Sequence, residues 1–203
     1  MTEDIQQYIQ YFRDQMPLIK DVKNILHRKV LYTTLMDAMS RGGFPDVQGH
    51  RKRVTTFIDS CSRWPDKDRV SALQLKLTLE QASQAVGGLY EAVRDCVNGW
   101  MEGVIIRPVA DFAFSDLTSL ATQDQFKLLK HSRYVPLLYT YRNHLVHEYR
   151  EPGYGMEISN DPSTPYYHSV HGGEWELVFP SGFFRQSVNP ALTDWSNISW
   201  RMQ

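Results

Sequence analysis

Between Tyr134 and Gly153 the chain reads YVPLLYTYRNHLVHEYREPG, with Arg142, Asn143 and His147 close together. An arginine is a permanent cation, and histidine is the side chain that changes charge near neutrality. That combination suits phosphoryl-transfer chemistry on RNA. The imidazole can move a proton to or from an RNA oxygen, and the guanidinium can bind and stabilise a negative phosphorane-like transition state. Neither step demands a metal.

The segment carries these residues on a helix. At 100° per residue, Val135, Leu138, Tyr141, Leu145, Val146 and Tyr149 fall on one side, which should face a bundle. Ser132 is positioned to cap the helix, Pro136 is tolerable in its first turn, and Glu151-Pro152-Gly153 should end it. Arg142 falls in the middle of the apolar side. A guanidinium there must find a carboxylate, backbone carbonyls, a subunit interface or an anionic ligand, because burying it alone is costly. Asp37, on an earlier helix, is the candidate ion-pair partner. His147 lies on a polar flank, roughly 140° from Arg142 by α-helical geometry. A plain alternative is that Arg142 only makes a buried ion pair and His147 only caps its helix.

The run Arg142-Asn143-His144-Leu145-Val146-His147 resembles the signature of the HEPN superfamily (higher eukaryotes and prokaryotes nucleotide-binding). In those α-helical bundles Arg is followed, four to six residues on, by His, often with a polar residue directly after the Arg. With Tyr149 two residues after His147, the form also resembles the toxins of HEPN–nucleotidyltransferase toxin–antitoxin pairs. The match covers about residues 132–151, with a looser likeness of helical layout over 1–151. The resemblance implies a homodimer that cleaves RNA without metal by activating a 2′-hydroxyl. Arg142 would contact phosphate, His147 would transfer protons and Asn143 would orient the site. Tyr149 would be the residue that a partner nucleotidyltransferase antitoxin modifies with AMP. Other members of the superfamily imply a non-catalytic dimeric module that binds RNA, nucleotide or a partner protein.

The remaining candidates are weaker. His50-Arg51-Lys52-Arg53 is the one dense basic run; Arg51, Lys52 and Arg53 are candidate RNA-backbone contacts, or else a solvated helix start. His144 and His147, and likewise His168 and His171, are three apart, a spacing too unspecific to assign a metal. No G-x-x-x-x-G-K-[ST] and no G-x-G-x-x-G occurs, so no cofactor is assigned. Cys61 and Cys96 read as free thiols. The 203 residues carry 22 Lys and Arg against 23 Asp and Glu, a net charge of −1. Any polyanion site must therefore be local. No apolar run approaches the ~20 residues of a membrane span, and the start lacks a secretory signal, so a soluble cytoplasmic protein is expected.

Helical spacing of apolar residues recurs through most of the chain. It predicts a first helix with Ile5, Ile9, Phe12 and Met16, a second from Leu18 to Met39 that is separate or continuous through a bend at Pro17, and a third around Val54, Phe57, Ile58 and Cys61. Ser71-x-x-Gln74 and Thr122-x-x-Gln125 have capping-box form, the first opening a helix that should run to Val86. A further helix follows Gly87-Gly88, and the stretch from about Ile105 to Ala121 looks irregular. Tyr166 to Val170 and Glu174 to Phe179 read as a β-hairpin. The expected fold is mainly α, a helical bundle over 1–151 with a β-hairpin-containing extension over 152–203. Trp175, Phe179, Phe183, Phe184, Trp195 and Trp200 would form the small core that pins the extension to the bundle.

Overall fold

The computed structural model describes residues 3–153, 157, 163–170 and 174–198. It is mainly helical, with two small antiparallel sheets. Helix α1 (Glu3–Lys20) passes through Pro17, and α2 (Ile25–Gly43) starts afresh with the Asn24 side chain accepting the His27 N–H at 3.0 Å. The two approach closely at Gly42, where any Cβ would stand 2.5 Å from the Tyr8 ring. Helix α3 (His50–Cys61) buries Val54, Phe57, Ile58 and Cys61.

Ser71 caps α4 (Ala72–Gln81) by accepting the Gln74 N–H at 3.1 Å. This helix stops short of Val86. Ser83 turns into the left-handed region at φ 56°, and the Gln84 N–H returns to the Leu79 carbonyl at 2.8 Å, which closes the helix end in a Schellman-type turn. Helix α5 (Gly87–Asn98) follows.

The stretch expected to be irregular holds a 3₁₀ turn (Pro108–Ala110), strand β2 (Phe112–Ala113) paired with β1 (Arg69–Val70), and the short α6 (Phe114–Thr118). Two-residue strands and helical pieces of three and five residues are too short to carry a periodicity that sequence could show. Helix α7 (Gln123–His131) opens with a complete Thr122/Gln125 capping box. Ser132 ends α7 rather than capping the next helix: its hydroxyl donates to the Leu128 carbonyl at 3.0 Å, and Arg133 precedes α8 (Tyr134–Asn143).

Strands β3 (Tyr166–Val170) and β4 (Glu174–Val178) pair from Tyr166↔Val178 to Val170↔Glu174 as the expected hairpin, although Tyr166, Tyr167 and His168 are all buried, so β3 does not alternate between core and solvent. The last stretch adds a helix that the sequence reading did not assign, α9 (Ser181–Ile198). Phe184, Val188 and Leu192, at i, i+4 and i+8, are buried, and α9 lies against α1, α2 and α3. The extension therefore completes the bundle core.

A buried carboxylate ties the middle of the chain together. Asp111 accepts the Tyr134 and Tyr167 hydroxyls, each at 2.6 Å, and the Ala72 N–H at 2.9 Å, joining α8, β3 and α4. Burial pushes its pKa up to about 6, against the pull of the two tyrosine hydroxyls. Among the described residues no helix is long and apolar enough to cross a membrane.

Candidate functional site

Helix α8 buries Tyr134, Val135, Leu138 and Tyr141, and Arg142 goes in with them at 8% exposure. Its Nη2 donates to Asp37 Oδ2 from α2. Its Nη1 donates to Asn143 Oδ1 at 3.0 Å and lies 3.2 Å from His147 Nε2. An arginine only donates, so in this contact the imidazole offers its Nε2 lone pair.

The helix changes form to make that contact. From His144 to Glu148 it widens into a π turn, and the Tyr149 N–H bonds to the carbonyl of His144. More residues per turn means less rotation per residue, so side chains five apart return toward one side. In an α-helix they would stand about 140° apart. His147 is thereby set against Arg142 while its ring stays exposed to solvent. The spacing alone could not show this, because it was read with α-helical geometry.

The same widening moves Tyr149 off the bundle side on which α-helical phase places it. The residue takes a left-handed conformation, φ 53°, and is 57% exposed, its ring 5.7 Å from that of His27. The Tyr149 hydroxyl belongs to the surface rather than the core.

A second histidine joins from α3. His50 Nε2 is 3.4 Å from Asp37 Oδ1, and its Nδ1 is 3.0 Å from the Tyr139 hydroxyl on α8. Burial lowers the His50 pKa from its usual value, and the Asp37 carboxylate opposes that shift. The ion pair of Asp37 and Arg142 is thus flanked by one imidazole on each side. His50 entered the sequence reading only as part of the basic run, because nothing local signals that α3 starts beside α8. Arg51 lies with its guanidinium 5.7 Å from the Tyr139 ring centroid, and Arg51 and Lys52 are exposed on the first turn of α3, with Arg53 half-buried. The basic run therefore borders the site.

Beneath the pair, Met36, Val54, Ile58, Leu138 and Phe184 line a cavity of about 10 Å³. That is the volume of a single water at most. The cavity is too small to hold a ligand larger than water.

The other candidates disperse. His144 Nδ1 pairs with Glu148 at 2.8 Å and His168 Nε2 with Glu176 at 2.6 Å. His171 lies outside the described residues. Among the described residues no three His, Cys, Asp or Glu side chains gather as they would around a metal ion. Phe179, Phe183 and Phe184 are buried core, and Trp175 meets Trp100 edge to face at 5.1 Å. The side chain of Trp195 and all of Trp200 lie outside the described residues. Comparison of the chain with protein-family models, curated proteins and solved structures finds no match.

Proposed function

We propose that the chain is a HEPN-like endoribonuclease that cleaves RNA with its own side chains, as a cytoplasmic homodimer and as the toxin of a toxin–antitoxin pair. The observation that carries this reading is the π turn, which seats His147 Nε2 3.2 Å from Arg142 with Asn143 beside them. An RNA phosphate entering from the exposed side takes up the Arg142 Nη1 hydrogen bonds and frees His147 Nε2. The imidazole then accepts the 2′-hydroxyl proton as the 2′-oxygen attacks phosphorus. The 5′-oxygen leaves with a proton from the His147 of the other copy, which must enter the step as an imidazolium, and a 2′,3′-cyclic phosphate remains. Arg142 and Asn143 hold the equatorial oxygens as their charge grows. Arg51, Lys52 and Arg53 take neighbouring phosphates along the same face. The exposed Tyr149 hydroxyl is open to AMP transfer by a partner nucleotidyltransferase.

The depth of Arg142 and its bond to Asp37 favour a second reading, a non-catalytic dimeric module that binds RNA, nucleotide or a partner protein at the same place. Wild type and His147→Ala, assayed in EDTA on a panel of cellular RNAs, separate the two. Cleavage by wild type alone supports the nuclease; equal, negligible cleavage by both, with binding retained, supports the module.

A further inference from the structure

We infer that Lys29 is a positioning residue for this site: it grips the chain on both sides of the Arg142–His147 segment and so maintains the π turn. The catalytic consequence rests on the nuclease reading; the geometric one does not.

Lys29, on α2, is 0% exposed. An ammonium so deeply buried costs several kcal/mol unless it is paired and hydrogen-bonded, and even then an apolar residue of similar volume is often as stable. Its three donors are all satisfied, by Glu151 Oε2 at 2.5 Å, Glu157 Oε1 at 2.8 Å and the Tyr141 hydroxyl at 3.1 Å. The Tyr141 hydroxyl itself donates to Glu151 Oε2 at 2.6 Å. Burial, reinforced by Glu151, pushes the Tyr141 phenol well up, so it stays a neutral donor.

The chain positions of these partners give the cluster its meaning. Tyr141 directly precedes Arg142, and Glu151 follows two residues after Tyr149. One ammonium therefore pins the residue before the motif and the residue after the left-handed turn to the same point. The intervening residues must fit between two fixed ends. An α-helical continuation would carry His147 about 140° around the axis and away from Arg142. The π form, which is rare and intrinsically less favoured, accommodates the segment with His147 turned back. Asp37 lies eight residues beyond Lys29 on α2, about two turns along the same helix. A single helix thus holds Arg142 directly and its segment by both ends. Loss of the clamp should let the segment relax while the bundle persists, because Tyr141 keeps its ring packing on Phe179 and Phe184 when its hydroxyl loses Lys29.

The test uses the 203-residue chain and the pair Lys29→Met/Glu151→Gln, which removes the cation with one of its two carboxylates and leaves Glu157 bonded to the Ser181 N–H at 2.9 Å. Glu151→Gln alone, which leaves Lys29 with Glu157, is measured alongside it, so that failure of the double variant to fold still leaves a reading. The primary readout is the imidazole ¹⁵N and ¹³C spectrum of His147, assigned by loss of its signals in His147→Ala. The expected result is a folded protein, by circular dichroism and thermal melt, whose His147 signals move from an arginine-bonded Nε2 acceptor toward a solvated ring. The second readout is RNA cleavage, where kcat should fall about 100-fold with KM little changed, as for a catalytic group displaced by about an ångström. His147 signals identical to wild type in a folded variant overturn the inference. A shift in the signals together with no cleavage by wild type leaves Lys29 as the holder of the turn and removes the nuclease reading instead.

Discussion

Removing the Asp37 carboxylate leaves Arg142 buried without its counter-charge. The two side chains are 10% and 11% exposed, so solvent screens the pair little. Breaking a buried pair by deleting one partner costs about 3–5 kcal/mol, because the remaining charge is uncompensated. In a chain of this size 1 kcal/mol moves the melting temperature by about 2–4 °C, so Asp37→Ala should melt roughly 6–20 °C below wild type. Asp37→Ala/Arg142→Met, which removes both charges, should recover most of that loss, since apolar replacement of a whole buried pair is often neutral. Urea titrations of wild type, both single variants and the double variant give the coupling through a double-mutant cycle. A phosphate-bearing ligand should raise the melting temperature of Asp37→Ala more than that of wild type, because the freed guanidinium gains an anion that the native state binds and the unfolded state does not. A loss below about 1 kcal/mol, with no coupling, is the behaviour of an exposed salt bridge and would refute the reasoning.

Further expectations concern the scaffold. The folded pKa of Asp111, about 6, stands above its ordinary 3.8, so the native state keeps a proton that the unfolded state has released. The stability this contributes is full below about pH 4 and is lost as pH rises through 6, so the advantage of wild type over Asp111→Asn should shrink by roughly 2–3 kcal/mol between pH 4 and 7 in urea melts. A gap that is constant or grows with pH would contradict that sign. Gly153 sits at φ 66° with the Glu176 carboxylate where a Cβ would be; Gly153→Ala should cost about 1–3 kcal/mol by chemical denaturation. Thr122→Ala removes one half of the complete capping box of α7 and should cost about 1 kcal/mol.

What the sequence revealed follows from how local each signal is. Apolar spacing marked α2, α3, α5 and α7, and aromatic and β-branched residues on either side of a Gly-Gly turn marked the hairpin, because those patterns lie within a few neighbouring residues. Thr122 announced its helix by a bond to its own third neighbour. The left-handed Ser83, which ends α4, has no such marker, since serine is not the residue that usually takes that conformation. Helix α9 was hidden by Gly182, Pro190 and a run of aromatics that read as the small core of the extension, although Phe184, Val188 and Leu192 carried the helical interval. At the site, the arginine on an apolar stripe was a visible anomaly. The motif likeness assigned His147 to the same site, but their direct contact was not legible, because a π turn depends on contacts from α2 that lie more than a hundred residues away in the chain. His50 and Lys29 are likewise tertiary members: one stands in a basic run, and nothing in the residues around the other marks it. Their roles come from where α2 and α3 meet α8.

The most direct test of the Arg142–His147 pair as phosphoryl-transfer machinery is end-group analysis of RNA fragments. Wild-type protein in EDTA should leave 2′,3′-cyclic phosphate and 5′-hydroxyl ends, read by mass spectrometry, and a substrate with a single 2′-deoxy sugar at the scissile position should stay intact there. His147→Ala and Arg142→Ala should produce no such ends. Fragments with 5′-phosphate and 3′-hydroxyl ends, cleavage at the 2′-deoxy position, or undiminished cleavage by His147→Ala would contradict it.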